Sequence, residues 1–356
     1  MISLWGKKKR TTAFVKSRHF FIAIVALLIV IFFANLFSSY RLNHSTKKLT
    51  HENIDRVYVL NMDRSVERRK EYESLLTKYF DGKLFGKDFQ QIRFKCTDAK
   101  STIIVQDMKA GEKINGVEFL KGNRHFEFGR LYHIYDKQEP DFVIKYRPNK
   151  NGKRLITMGE IGATMSHLRA IRDVVKNEYS NSIIFEDDFV FLKPESFYND
   201  FDRMLKKTPK DYDLIKFDIL EGGENGRTVD KNIIIRLREN IKSYITNGRN
   251  RYLNKQNGRS ICMMTSYVIS YAGAKKILQF VENNIFDDFY WVIDLLIYKE
   301  ALWRGIDLKL YYAKRPLVSQ KDIIEWRNGN MTSEVDKLSV EFKNENEYRF
   351  KDKMKK

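Results

Sequence analysis

Ser182-Ile183-Ile184-Phe185-Glu186-Asp187-Asp188-Phe189-Val190-Phe191-Leu192 is the stretch on which the reading of this chain turns. A hydrophobic run ending in three carboxylates predicts a buried strand that delivers acids to the edge of a sheet. Carboxylates carried there need a counter-charge, because an unpaired buried charge is very costly. Two readings stay open on this stretch alone. Glu186, Asp187 and Asp188 build a metal site, or they form an exposed strand-end turn paired with nearby lysines.

The flanking segments repeat the design. Upstream, Gly159-Glu160-Ile161-Gly162 opens a predicted helix whose stripe of Met165, Leu168, Ile171 and Val175 packs on a sheet. Ser166 and His167 lie off the centre of that stripe. His167 is either a hydrogen-bonded packing residue or a ligand contact, and glycines at the helix start let a ligand approach the backbone. Downstream, Tyr212 to Asp218 is again a buried strand with an acid at its end, and Ile233 to Leu237 is a strand among Gly- and Asn-rich loops. Thr265 to Ser270 is a further strand, entering a helix through Tyr271-Ala272-Gly273-Ala274. Asp294 interrupts the apolar run Phe289 to Leu296, as a local cap or as a working acid facing a cleft. Leu308 to Tyr312 is the last clear strand, and Arg315 to Gln320 closes the fold.

Nearer the N-terminus, Ile54 to Leu60 predicts a strand broken by Asn61-Met62-Asp63-Arg64-Ser65. Ser65 is placed to cap a helix carrying Tyr72, Leu75, Leu76 and Tyr79 at helical spacing. Strand, polar loop and helix make half of a βαβ unit, and open α/β sheets bind ligands at the carboxyl ends of their strands. Asn61, Asp63, Arg64 and Arg68 are therefore candidates to hold a nucleotide, against a plain reading as loop and helix-face polarity. Residues 81 to 158 are hard to read, with short strand-like runs at Ser101 to Val105 and Phe142 to Tyr146. They are a lid or acceptor-binding insertion, or surface elaboration.

The 356 residues suit one large domain or two small ones. Lys and Arg number 65 against 46 Asp and Glu, so a formal charge of +19 attracts phosphates, polyanions or an anionic membrane. No groove-like alternation of basic and aromatic residues occurs, so nucleic acid is not an expected partner. Cys96 and Cys262 are too few for a disulfide framework or a cysteine-rich zinc site; they form one bridge or two core thiols.

Residues 1–18 form a basic tail without an acid, expected in the cytosol. Residues 19–38 are the expected transmembrane signal-anchor: the uncharged run from Phe20 to Phe37 is roughly 27 Å long as a helix. A cleaved secretory signal is the rival, but no small-x-small site follows. The basic residues before the span outweigh Arg41, Lys47 and Lys48 after it, so a type II orientation is expected, with the bulk of the chain on the lumenal side. Asn43 and Asn330 begin short glycosylation sequons on that side. Residues 39–52 read as a stem, 53–325 as the folded domain, and 326–356 as a charged tail.

Taken in order, the blocks resemble glycosyltransferase family 25, the lipopolysaccharide and collagen-type galactosyl- or glucosyltransferases. They are Val57 to Ser65 with Glu67-Arg68-Arg69, Gly159 to Gly162 with Ser166-His167, Ile184 to Asp188, Ser270 to Ala274, Asp294 with Leu295, and Pro316 with Gln320. The family pattern has Leu where this chain has Met62, and a small residue or Cys at Ala163; the distance from the first strand to Gly159 is longer than usual.

The resemblance implies a GT-A fold, a Rossmann-like mixed α/β sheet flanked by helices, that moves a hexose, galactose first, from a UDP-sugar to a glycan, glycolipid or protein hydroxyl. Inversion of the anomeric centre is expected. Mn²⁺ or Mg²⁺ is implied as cofactor, since a divalent ion with hard oxygen ligands stabilises a departing diphosphate. Glu186 and Asp188 are its first candidate ligands and Asp187 the alternate. A general base must face the acceptor hydroxyl, Asp294 first and Asp218 second. Arg64 and Arg68 would meet phosphate or the nucleotide edge, Asn61 and Asp63 base or ribose, and Gly159, Glu160, Ser166, His167 and Gln320 are implied at the donor. Such an enzyme is expected in the Golgi or endoplasmic reticulum if eukaryotic, and otherwise in a bacterial inner membrane. The rivals are a non-catalytic, membrane-anchored carbohydrate-binding protein and a metal-dependent nuclease or phosphotransferase.

Overall fold

A computed structural model of the chain describes residues 49–121, 126–149, 156–218, 234–236, 264–286, 293, 296–297, 306, 308–313 and 316–321. The basic tail, the expected span at 19–38, most of the stem, the charged C-terminal tail, Asn43, Cys262, Asp294 and Asn330 lie outside the described residues. Among the described residues no helix is long and apolar enough to cross a membrane.

The β-branched and aromatic runs form a seven-stranded mixed sheet. Its order is Ile234–Arg236, Leu310–Ala313, Leu214–Lys216, Ser266–Ser270, Asn181–Glu186, Arg56–Asn61 and Arg93–Lys95. Ser266–Ser270 runs antiparallel to both neighbours, and Ile234–Arg236 is antiparallel at the edge. The other five share one direction, so their carboxyl ends gather along one edge.

Both faces of this sheet are covered, which is why its strands read as nearly unbroken hydrophobic runs. Alternate residues divide between two cores, as the period of two in a strand requires. Tyr58, Leu60, Ile184, Tyr267 and Ile269 face a core with Ile161, Met165, Leu168 and Ile171 of the helix Met158–Lys176. Val57, Val59, Ile183, Phe185 and Phe217 face the other, with Tyr72 and Leu76 of the helix Val66–Phe80 and Phe201 of the helix Phe197–Lys207. Phe185 is fully buried and packs edge-on to Phe217, with ring centroids 5.7 Å apart. Truncating such a side chain to alanine costs about 3–5 kcal/mol.

Two local expectations change. Ser65 is the N-cap residue of Val66–Phe80, but its side chain makes no capping hydrogen bond. Tyr79 is 45% exposed, because the buried stripe of that helix narrows to Tyr72 and Leu76.

The hard-to-read segment holds most of a second sheet. It has five strands, in the order Ile285–Phe286, Ile144–Tyr146, Tyr132–Asp136, Ile103–Asp107 and Lys113–Asn115. Ile103, Val105, Ile134, Ile144 and Tyr146 join the same core as the helix Met158–Lys176, so this sheet is part of the body and not surface elaboration. A buried ionic knot ties it down. Arg169 Nη1 lies 3.2 Å from Asp136 Oδ2, and Thr97 Oγ1 donates to the same oxygen at 2.6 Å. The body begins at Leu49, which packs on the core, while the His51 amide donates to Asp202 at 2.6 Å.

Candidate functional site

The acid-bearing strand ends where the sheet chemistry predicts a ligand edge. Leu60 is in register with Glu186, and Asn61 with Lys95, so Asn61, the residues after Lys95 and the acid triplet share the carboxyl edge of three adjacent parallel strands. The helix Val66–Phe80 starts at the same edge and carries Arg68 in its first turn.

Asp187 and Asp188 are buried, at 8% and 7% accessibility, which removes the reading as an exposed turn. Among the described residues their counter-charge is Arg68, not lysine: its Nη1 lies 3.1 Å from Asp187 Oδ1 and 3.7 Å from Asp188 Oδ2. Asn61 Nδ2 donates to Asp187 Oδ2 at 2.7 Å, so both oxygens of Asp187 are engaged. Gln320 Nε2 donates to Asp188 Oδ2 at 2.7 Å, because Val318–Gln320 pairs antiparallel with Phe189–Phe191 and brings residue 320 opposite Phe189. Asp188 Oδ1 is buried without a hydrogen-bond partner among the described residues. Burial, and then the charge of Glu186, push the Asp188 carboxyl up to about 8, with Arg68 and Gln320 offsetting only part. Burial likewise holds Asp187 above the usual carboxylate range despite Arg68 and Asn61.

Glu186 is held differently. Its Oε1 lies 3.3 Å from His167 Nε2, and His167 Nδ1 lies 3.0 Å from the Tyr267 hydroxyl. Burial raises the Glu186 carboxyl, but the hydrogen bond from His167, with the charges of Arg68 and Lys216, brings it net below its ordinary value. Burial and then Glu186 raise the Tyr267 phenol far above its ordinary value, so it keeps its proton. The assignment that satisfies all three groups has Tyr267 donating to Nδ1 and Nε2–H donating to Glu186. His167 is 1% accessible, whereas 28% of the Glu186 side chain remains open.

Asp218 stands at the same edge, two residues past Lys216, and is 2% accessible. Lys216 Nζ lies 3.1 Å from its Oδ1, and the Ser266 amide donates to Oδ2 at 3.1 Å. Burial pushes Asp218 up to about 6, with Lys216 and the Ser266 amide opposing it. Thr265 Oγ1 and Ser266 Oγ beside it are buried without hydrogen-bond partners among the described residues.

The other expected contacts are engaged within the chain. Asp63 pairs with Arg93 at 2.5 Å and Lys95 at 2.7 Å, and these hydrogen bonds hold its carboxyl below the usual range. Arg64 Nε lies 3.5 Å from Asp98 Oδ2. Glu160 closes a capping box with Thr157: the Glu160 amide donates to Thr157 Oγ1 at 3.2 Å and the Thr157 amide to Glu160 Oε2 at 2.8 Å. Gly159 is buried in that first helical turn. Ser166 Oγ accepts from the Thr97 amide at 3.0 Å and donates to the Gly162 carbonyl, fixing the loop after Lys95. A Cβ on Gly162 would come 3.0 Å from Ala99 Cβ, so this glycine admits the chain's own loop and not a ligand.

Asn61, Arg68, His167, the acid triplet, Asp218 and Gln320 thus lie along one edge, while Asp294 lies outside the described residues. Tyr267 and Lys216 were not anticipated. Lys216 carried a signal, a charge inside the otherwise apolar Leu214-Ile215-Lys216-Phe217, but Tyr267 had none.

The donor set admits a hard divalent cation only on terms. Among the described residues no group of three or more His, Cys, Asp and Glu converges as a complete metal site. An ion shared with a ligand's phosphates needs just one or two protein carboxylates, and Asp188 Oδ1, unpartnered among the described residues, and the partly open Glu186 fit that demand.

No curated protein matches the chain. A family model described as glycosyltransferase family 25 (LPS biosynthesis protein) matches residues 54–291, from the first strand through the acid triplet and the Ser266–Ser270 strand, stopping before Asp294 and Gln320. That match takes in more than half of the sequence and nearly all of the ligand edge, and the chain belongs to glycosyltransferase family 25.

Proposed function

We propose that this glycosyltransferase is a metal-dependent, inverting hexosyltransferase of GT-A architecture, taking a UDP-sugar, UDP-galactose first, at the edge formed by Asn61, Arg68 and Glu186 to Asp188. Its acceptor is a hydroxyl of a glycan, glycolipid or protein. The observation that carries the reading is Asp188 Oδ1, a buried carboxylate oxygen at the carboxyl edge of the sheet that no hydrogen bond engages among the described residues. A family transferring sugars has a use for such an oxygen when the donor is a nucleotide diphosphate.

Asp188, with Glu186, would hold Mn²⁺ or Mg²⁺, which when bound neutralises the departing diphosphate. Arg68 adds positive charge at the same place, and the start of the helix Val66–Phe80 adds its dipole. Asp187 orients Asn61 and Arg68. His167, oriented by Tyr267, would hold Glu186 in place for the ion. Asp294 is assigned as the base that accepts the acceptor's proton. The enclosure of Asp218 and its pairing with Lys216 suit a structural carboxylate better than one that meets a hydroxyl. The run at 19–38 would anchor the enzyme as a type II membrane protein, with the catalytic body in the Golgi or endoplasmic reticulum lumen in a eukaryotic host.

A panel of UDP-sugars, read as UDP release with Mn²⁺ present, tests this reading. Turnover with one UDP-hexose, abolished in Asp188→Ala with the fold retained, is the expected result. Saturable glycan binding without turnover of any donor would assign the chain to the non-catalytic alternative.

A further inference from the structure

The acid triplet sets three carboxylates side by side, and among the described residues the cation that ion-pairs with Asp187 and Asp188 is Arg68. Its guanidinium spans the two at 3.1 and 3.7 Å, yet 25% of the side chain stays accessible. Asp187 keeps a second support from Asn61 if the guanidinium leaves, and Asp188 keeps Gln320. Arg68 therefore occupies the electrostatic place of an added cation, and both of these carboxylates retain a hydrogen bond if it leaves them. A divalent ion arriving beside a guanidinium meets repulsion, and a diphosphate arriving there offers the guanidinium a better, bidentate partner.

We propose that Arg68 is an internal stand-in cation that couples the two ligands of this site: it opposes a divalent ion binding alone, and moves from Asp188 to the diphosphate when ion and nucleotide bind together. This rests on the reading of the site as a metal and UDP-sugar site, and deepens it into a statement of cooperativity. Each ligand then raises the affinity of the other by the same factor, as linkage requires.

The test is calorimetric titration of the purified full-length protein with MnCl2 alone, UDP alone and each with the other saturating, for wild type, Arg68→Gln and Arg68→Lys. In the wild type, UDP tightens Mn²⁺ by about tenfold or more. In Arg68→Gln, Mn²⁺ alone binds more tightly than in wild type, UDP with Mn²⁺ present binds more weakly, and the mutual enhancement contracts towards one. Added Mn²⁺ also restores the melting temperature that this variant loses without metal. Arg68→Lys keeps the charge and loses the fork, so it retains the weak metal-alone affinity with a reduced enhancement; it serves as the deciding variant if Arg68→Gln does not fold. Weaker or unchanged Mn²⁺ binding in Arg68→Gln, or an undiminished enhancement in Arg68→Lys, overturns the coupling role while leaving the site reading intact. A wild type that binds neither Mn²⁺ nor UDP overturns both.

Discussion

His167 Nε2 lies 3.3 Å from Glu186 Oε1, and this contact makes the histidine a holder of a carboxylate. The ring is 1% accessible and both its nitrogens are engaged, one by Glu186 and one by Tyr267. A hydrogen bond of this kind fixes the rotamer of an acid and keeps it ionised, which is what a carboxylate needs before it can meet a cation.

Replacing His167 should therefore act through metal affinity. In His167→Ala, Mn²⁺ affinity is expected to fall by about 10–100-fold, and Tyr267→Phe, which removes only the hydroxyl that orients the ring, should cost less. Activity measured against Mn²⁺ concentration checks this: lost activity should return when Mn²⁺ is raised. A defect unchanged by excess Mn²⁺ would assign His167 to donor contact or chemistry.

Asp188 should trade stability against activity. Its carboxyl is pushed up to about 8 in the folded chain, against an ordinary value of about 3.9 when unfolded. Between those values the folded state binds more protons than the unfolded one, so metal-free stability falls as pH rises. Asp188→Asn removes this titration, and the side-chain carbonyl can still accept from Gln320. The variant should be more stable than metal-free wild type at pH 8 by on the order of 2 kcal/mol, with the gap closing towards pH 4. Transfer should fall by about 100-fold or more. Urea unfolding in EDTA at the two pH values, beside a transfer assay, checks both halves.

How much of this was legible differs between the fold and the site. Continuous hydrophobic runs announced the central strands, because a sheet covered on both faces needs no polar alternation. The acids stood out against those runs, as did Asn61 and Arg68 just past a strand end. The second sheet was obscured because Ile103–Asp107 and Tyr132–Asp136 bury only alternate residues and sit among Lys, Gly and Asn. The pairing of Phe189–Phe191 with Val318–Gln320 joins segments far apart in the chain, so nothing local announced that Gln320 would meet Asp188. The role of Asp63 was hidden for a similar reason, since Arg93 and Lys95 come beside it only once the strands pair; that of Glu160 was written locally, in the Thr157-Met158-Gly159-Glu160 capping-box spacing, while the resemblance implied a donor contact.

Asp107 pins the turn between two strands of the second sheet and should make that sheet acid-sensitive. Burial opposes its ionisation, but the amides of Lys109 and Ala110 and the Arg130 guanidinium hold the carboxyl below its ordinary value. Its contribution is fully present above the ordinary carboxylate range and is lost as pH falls through the lower folded value. Asp107→Asn should cost about 1 kcal/mol at pH 7, since Arg130 is partly open to solvent, and almost nothing once the wild-type acid is protonated. Denaturant titrations at pH 7 and in strong acid should show the difference vanish; one that persists would place the loss in packing.

Gly273 belongs to the Ser270 to Ala274 block, which the family resemblance singled out, yet its surroundings are the protein's own backbone. A Cβ there would stand 2.2 Å from the Asp213 carbonyl oxygen and 2.7 Å from its carbon. The approach cannot relax cheaply, because that carbonyl also accepts from the Ser270 amide at 3.0 Å. The Asp213 carboxylate is held in turn by Lys276 at 2.7 Å and the Lys309 amide at 2.7 Å. Ser270 Oγ accepts from the Gly273 amide at 3.0 Å and starts the helix Tyr271–Asn283 at this point. Gly273→Ala must therefore displace the helix start or the Leu214–Lys216 strand, at a cost of about 2–4 kcal/mol. The melting temperature should drop by several degrees, with the affinity for Mn²⁺ and UDP unchanged in the molecules that stay folded. Reduced affinity at an unchanged melting temperature would show instead that the glycine serves the ligand edge directly.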